Sequence, residues 1–280
     1  MFQNIMVCTD GSSHGDVACR YGFLLADAMK ARLTGLHVLD IRMIEGPLMA
    51  DISGAIGASG YYAGWPQFRK LMEANGDAVR GCFQDLATKA GIDAVLGVET
   101  GHPVHVILER EASTDLLILG KRGENERYGR DLIGAVADRV TRRATKSCLV
   151  TPAQFTPVQK IMAACDGSPI SEKVVRTATA LARALNASLT LLTVTEKMTP
   201  EVAGVVSATA ERTCVDAGCT PKVMVVAGHA SEAILEEIVL ENSDLIVMGA
   251  HAHTRIRQWF VGCTTQRVLT DSGIPALLVR

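Results

Sequence analysis

The sequence predicts an α/β protein built as two tandem, doubly wound parallel-sheet domains of Rossmann-like type. Three observations predict it: an internal duplication, continuous apolar runs of strand length, and helical periodicity between those runs. Aligning Asp10 with Asp166 and holding the offset of 156 through Val38 and Val194 gives 12 identities in 29 positions without a gap. Self-similarity at a fixed offset marks a repeated structural unit. At 280 residues the chain is near the size at which single cores stop growing, so two units of roughly 140 residues fit the common domain size.

Each copy opens on an apolar run, Ile5 to Cys8 or Ile161 to Cys165, that ends at Asp10-Gly11-Ser12 or Asp166-Gly167-Ser168. A helix follows, marked by Val174, Ala178, Leu181 and Leu185 at i, i+4, i+7 and i+11. Ser168 before Pro169 reads as its start, because a hydroxyl can accept from orphan amides and proline suits the first turn. Second strands run from Leu33 to Leu39 and from Leu189 to Val194. The runs Asp115 to Gly120 and Asp244 to Gly249 are apolar throughout, as a strand buried on both faces requires. Gly134 and Gly262 each precede an Arg-Val pair by the same spacing and lead through a helix to last strands at Leu149 and Leu277. The order is βαβαβαβαβ, twice, which implies right-handed crossovers and a ligand site beyond the carboxyl ends of the strands.

Thr151 to Pro157, with prolines at 152 and 157, reads as the linker between domain 1 (1–153) and domain 2 (157–280). Between the second and third strands the offset falls from 156 to 127, so the first copy holds an insertion at about 43–75. Gly46, Gly54, Gly57, Gly60 and Gly64 with Tyr61, Tyr62 and Trp65 suggest a flexible flap, with a surface loop as the alternative.

Composition narrows the function. Hydrophobic residues make up 48% and charged residues 21%, enough for a core in each half and unlike a disordered chain. A net charge of -2 and a pI near 6.4 disfavour a nucleic-acid partner. The amino terminus carries no export pattern and no apolar run is long enough to span a bilayer, so no membrane partner and a cytoplasmic location are expected. Eight cysteines are too few for a disulfide scaffold, and Cys8, Cys148 and Cys165 fall within apolar runs, so buried free thiols are expected. Cys214 and Cys219 lack a second ligand pair at zinc-site spacing.

The strongest chemical signal is Gly120-Lys121-Arg122-Gly123, ten residues, then Gly134-Ala135 opening a helix. Glycines admit a phosphate to the backbone, and free amides at a helix start attract an anion. Neither G-x-x-x-x-G-K-[ST] after a strand nor G-x-G-x-x-G before a helix is present. The pattern resembles the universal stress protein family, whose nucleotide-binding members carry G-x2-G-x9-G-[ST] after the fourth strand and a V-D-x-S turn after the first. The resemblance covers essentially the whole chain, twice, as in tandem members. It implies ATP as ligand, possible use of Mg²⁺, and a stress-response sensor or regulator. It implies nucleotide contacts from Asp10, Gly11, Ser12, Gly101, Gly120, Lys121, Arg122, Gly123, Gly134 and Ala135, and a lesser set of Asp166, Gly249, Gly262, Cys263 and Thr264. Asp10 would meet the adenine and ribose end, opposite the phosphate loop; organising the turn beside Ser12 is its alternative role. The resemblance also implies that Cys148 to Thr151 and Ala276 to Val279 pair antiparallel across a pseudo-twofold, a pseudo-dimer within one chain, with further homodimerisation left open.

Both copies depart from the family pattern. The first has a spacer of ten and Ala135 in place of the hydroxyl residue. The second has Ala252 for a glycine and Cys263 for the hydroxyl residue, with Thr264 one place later. If the glycine needs positive φ, alanine costs about 1 kcal/mol or more, so the first copy ranks as the better ATP site. His251 and His253 are a metal pair only with ligands from elsewhere, so no metal site is assigned, and His102, His105 and Glu109 share a helix face that solvation explains. Asp10, Ser12, Ser13 and His14 lie too close in sequence to converge as a hydrolase triad. Two other readings stand beside nucleotide sensing: an interaction module for an unidentified protein partner, and a slow ATPase, for which no catalytic residue is assigned.

Overall fold

In the computed structural model the described residues are 2–41, 58–123, 133–196, 198–250 and 262–280, with backbone alone for 58–68. The first repeat runs β1 Asn4–Cys8, α1 Ser13–Met29, β2 Arg32–Asp40, α2 Ala58–Ala90, β3 Ala94–Gly101, α3 Pro103–Arg110, β4 Leu116–Gly120, α4 Ala135–Arg143 and β5 Ser147–Thr151. The second runs β6 Lys160–Ala164, α5 Ser171–Leu185, β7 Ser188–Val194, α6 Pro200–Asp216, β8 Lys222–Val226, α7 Ala230–Leu240, β9 Leu245–Gly249, α8 Cys263–Asp271 and β10 Ala276–Val279.

All ten strands form one sheet in the order β3-β2-β1-β4-β5-β10-β9-β6-β7-β8. Every pairing is parallel except β5 with β10, where Leu149 faces Leu277 and Cys148 faces Leu278. The expected antiparallel seam is therefore made within one chain. In each half the strand order reverses where β1 meets β4 or β6 meets β9, the place where such sheets open a crevice.

Alternation along the strands assigns the two faces. Ile5 and Val7 of β1 point into a core shared by α1, α2, α5 and α6, whereas Met6 points into a cluster with Val106 and Ile107 of α3 and Val140 of α4. Ile234 and Ile238 of α7 with Val268 and Leu269 of α8 form the matching cluster in the second half. One face thus carries a core continuous through both repeats. The connector is tied down as well: Tyr21 Oη bonds both O and N of Thr156 at 3.1 Å, and the Tyr21 and Phe155 rings lie 4.7 Å apart.

Two sequence expectations change. The part of the 43–75 insertion from Ala58 onward is no flap: it is the start of the 33-residue α2, while 42–57 lie outside the described residues. Ser168 does not cap α5; the helix starts at Ser171, Ile170 is its half-in residue, and Ser168 Oγ is buried without a partner. In the first repeat the hydroxyl does cap, since Ser12 Oγ accepts from Gly15 N at 3.2 Å.

Candidate functional site

The tip of β1 turns sharply into α1. Gly11 holds φ +80, and a Cβ there would lie 2.7 Å from Val79 Cγ2, so glycine is required by both conformation and room. Asp10 Oδ1 accepts from Ser12 N at 3.0 Å, which makes the residue a turn organiser, while its other oxygen faces the loop after β4. A Cβ built on Gly123 would sit 2.6 Å from Asp10 Oδ2. Asp10 and the glycine loop are thus neighbours on one wall, rather than facing each other from opposite ends. Gly123 carries no positive φ, so its glycine requirement is room beside the carboxylate and not backbone strain.

Gly120 is confined more tightly. A Cβ there would meet His14 O and Arg122 O, each at 3.0 Å, so β4 ends against the backbone at the start of α1. Lys121 O then accepts from Gly134 N at 2.8 Å, which closes the neck of the 121–134 loop and commits that amide. The helix α4 starts at Ala135 with Gly134 as an uncapped N-cap in extended conformation. The amides of Val136 and Ala137 belong to the first turn, which has no intrahelical acceptor for them, and both residues line the crevice, where the helix dipole favours an anion.

These pieces surround a cavity of about 880 Å³ at the carboxyl ends of β1, β2 and β4. Asp10, Gly15, Gly120, Arg122, Gly123 and Gly134 to Ala137 form its polar end; Leu36, His37, Val38, Leu39, Pro103, Ile107 and the α2 residues Leu71 and Met72 form the apolar remainder. The Arg122 guanidinium supplies positive charge and Asp10 and Asp40 negative charge. Asp16, just below, has its carboxyl pushed up from the usual range by burial and then by the charge of Asp10.

The second repeat builds the same crevice at about 300 Å³. Two observations explain the difference. Ile170, where the first repeat has His14, packs over the loop, its Cγ2 lying 2.8 Å from a Cβ built on Gly249. Asp166 is drawn inward, its Oδ1 accepting from Ser168 N at 3.0 Å and from Ser171 Oγ at 2.7 Å. Glu196, at the position Asp40 holds in the first repeat, sits at the start of α7, bonded to His229 Nδ1 at 3.1 Å and Ala230 N at 3.4 Å.

A family model described as the universal stress protein family matches residues 1–152 and again 157–280. A universal stress protein of Synechocystis is 32% identical over 99% of this chain and 100% of its own. The chain belongs to the universal stress protein family. A crystal structure of a universal stress protein from Archaeoglobus fulgidus superposes with a TM-score of 0.76 over 99% of this chain and 98% of that one, at 17% identity. A putative universal stress protein from Pseudomonas aeruginosa gives 0.65 over 99% and 93%, at 15% identity. These likenesses extend over both repeats and agree in fold.

Within this tandem family member, Asp10, Gly120, Arg122, Gly123, Gly134 and Ala135 line one cavity, and Asp166, Gly249, Gly262, Cys263 and Thr264 line the other. Four expected contacts fall elsewhere. Lys121 Nζ reaches across the seam to the carbonyls of Thr270 and Ser272 at the end of α8, and so neutralises that helix C-terminus. Gly11 and Ser12 shape the turn, and Gly101 ends β3, its carbonyl accepting from Ile41 N at 3.1 Å. Ala252, His251 and His253 lie outside the described residues, and among the described residues no cluster of three metal-ligating side chains occurs. No helix among the described residues is long and apolar enough to cross a membrane. Sequence reasoning missed His37, Asp40, Leu71 and Met72. The β2 residues were reachable by applying the switch-point rule to the neighbouring strand; the α2 residues were hidden by reading the insertion as a loop.

Proposed function

We propose that the first repeat binds an adenine nucleotide, ATP carrying its Mg²⁺, and that the protein acts in the cytoplasm as a stress-response sensor whose nucleotide state is read by a partner. The observation that carries this reading is the single cavity in which a glycine loop, an uncapped helix start and Arg122 stand beside an apolar recess. Phosphates suit the first set, since the first turn of α4 and the Arg122 guanidinium bring donors and positive charge to the glycine loop. The base suits the apolar recess, and the Asp10 and Asp40 carboxylates can accept from ribose hydroxyls. Ala135 contributes its backbone where other members place a hydroxyl. The volume also suits one nucleotide, as ligand cavities usually run to several hundred Å³.

The second repeat is proposed as a poorer site or none, because Ile170 packs over Gly249 and the cavity is about 300 Å³. A slow ATPase stands as the weaker reading, with no catalytic residue assigned to it. The test is thermal unfolding with and without millimolar ATP and Mg²⁺: a ligand at 100 times its Kd adds about 2.7 kcal/mol and raises Tm by several degrees. No shift, together with no heat of binding by calorimetry, removes the reading and leaves an interaction module.

A further inference from the structure

The helix α6 packs Ala203, Ser207, Ala210 and Cys214 against β7 and β8 and turns its opposite face to solvent. Along the centre of that face Glu201, Val205, Ala208 and Arg212 recur at i, i+4, i+7 and i+11, which places them in one stripe. All four are exposed, Val205 at 67%, and Val202 beside them is at 51%. A Cβ built on Gly204 would meet nothing within 4 Å, so the surface next to Val205 is open. The valines and Ala208 thus form an apolar patch with a charge of opposite sign at each end, the make-up of a contact surface.

The stripe is its own complement. Its spacings of four, three and four residues read the same in both directions. A second α6 laid antiparallel therefore brings Glu201 of one copy to Arg212 of the other and Val205 to Ala208, and the twofold repeats both pairs. Alternating steps of four and three are also those at which two helices interlock side chains. Arg212 has no hydrogen bond or ion pair among the described residues. The Glu201 carboxyl is held below its ordinary range by hydrogen bonds from the Thr199 side chain and its own amide, so it is a carboxylate at neutral pH. The first repeat lacks the pattern. Val79 of α2 and Val206 of α6 take the same place, each with Cγ2 2.7 Å from a Cβ built on Gly11 or Gly167. In that alignment the stripe positions of α2 hold Ala74, Ala78, Gly81 and Asp85, with no opposite charges to match.

We propose that the full chain forms a weak twofold homodimer through α6, with Glu201 of each copy paired to Arg212 of the other around an apolar centre of Val205 and Ala208. A second copy is the occupant because this one face supplies both halves of the match, in charge and in spacing. The contact is small: two 17-residue helices bury less than the roughly 1,600 Å² of a standard interface, which sets the dissociation constant at about 10–100 µM. The ion pairs at its ends fix register and direction more than they add affinity. Pairing is separate from the nucleotide reading, since α6 lies on β7 and β8 whereas the first cavity opens at β1, β2 and β4.

The test is sedimentation equilibrium of the full chain, without nucleotide and at low salt, from about 5 to 500 µM. The average mass should rise across that range from one chain of 29.8 kDa toward two. Arg212→Glu sets like charges together at both ends and should weaken association about tenfold or more. Adding Glu201→Arg to it restores the match in reversed order and should return affinity to within about threefold of wild type. Val205→Asp, which puts charge at the centre, should leave a monomer. A wild-type chain monomeric at the highest concentration overturns the proposal and leaves the face to a different protein. A dimer that Arg212→Glu or Val205→Asp leaves unchanged sits on another surface, and a double variant no tighter than Arg212→Glu rejects the antiparallel pairing; either overturns it as well. The substituted positions are exposed, so the fold should survive, and circular dichroism checks this. Should a variant unfold, hydrogen exchange of the wild type at the two ends of the concentration range decides alone. Slower exchange over α6 at the higher concentration supports the contact, and unchanged exchange there refutes it.

Discussion

The two glycines that flank the loop after β4 are constrained by different neighbours, and substitutions separate them. At Gly120 a methyl meets backbone carbonyls of His14 and Arg122, which cannot move without shifting α1, so Gly120→Ala lowers stability by about 1–3 kcal/mol and weakens nucleotide binding too. At Gly123 a methyl meets, among the described residues, the Asp10 carboxylate, a side chain that can turn away. Gly123→Ala should therefore leave stability within about 1 kcal/mol of wild type while ATP affinity falls about tenfold or more. Urea unfolding paired with calorimetry reads both; equal losses of stability would show that the carboxylate is held as rigidly as backbone. The thiols give a second residue-scale prediction. Burial pushes Cys19, Cys148 and Cys165 up to about 12, whereas Cys82 and Cys263 are exposed. At pH 8 a disulfide reagent should label Cys82 and Cys263 within minutes and leave the other three unmodified until denaturant is added. Fast labelling of Cys148 in the native protein would contradict its place in the seam.

At the scale of elements, the repeat made the strands and most helix starts legible, because the same turn and the same apolar runs appear twice under one offset. The structure extends that identity to caps: α1 ends at Lys30 with φ 52 and α5 at Asn186 with φ 51. Asparagine takes this left-handed position at less cost than lysine and glycine at none, so Lys30→Gly should stabilise by about 0.5–1 kcal/mol, measured by chemical denaturation; a destabilised variant would mean that the exposed Lys30–Asp27 pair matters more than its exposure suggests. Asp115 makes a pH prediction. Backbone amides of Gln3 and Asn4, each 2.9 Å away, hold its carboxyl below the usual carboxylate range and tie β4 to the start of β1. A depressed native value means stability that is present above about pH 4 and lost as pH falls through the native value. Asp115→Asn should flatten that acid limb. What the sequence hid was α2: Gly60, Gly64 and Pro66 all argue against helix, yet the chain is helical from Ala58. Misreading that segment also hid Leu71 and Met72 of the apolar cavity wall, and the Ser168 cap failed because Ser171 binds Asp166 and starts the helix later.

For the whole molecule the decisive feature is the seam. Strands β5 and β10 are buried along their length, and the core formed by α1, α2, α5 and α6 runs through both repeats. Side chains cross as well: Arg142 bonds Asp138 on its own helix and Gln266 on α8, Arg280 bonds Thr141 O, and Lys121 bonds the end of α8. Lys121 is the residue after Gly120, and α8 begins at the second cavity, so the two crevices share one mechanical connection. Such a joint core should unfold in one cooperative transition, with matching calorimetric and van't Hoff enthalpies. Cutting the chain exposes what the seam covers. Residues 1–156 alone would present β5 as an open apolar edge, with Cys148, Leu149 and Val150 unpaired, and an exposed edge of this kind seeks another strand. The strand available to it is β5 of a second copy, in the same antiparallel sense that β10 now fills. Light scattering on the isolated first repeat should therefore find a dimer, and Leu149→Lys should convert it to monomer or unfold it. A stable wild-type monomer of the isolated repeat would show that the tandem arrangement is not needed to cover β5, and that the seam joins two domains already complete on their own.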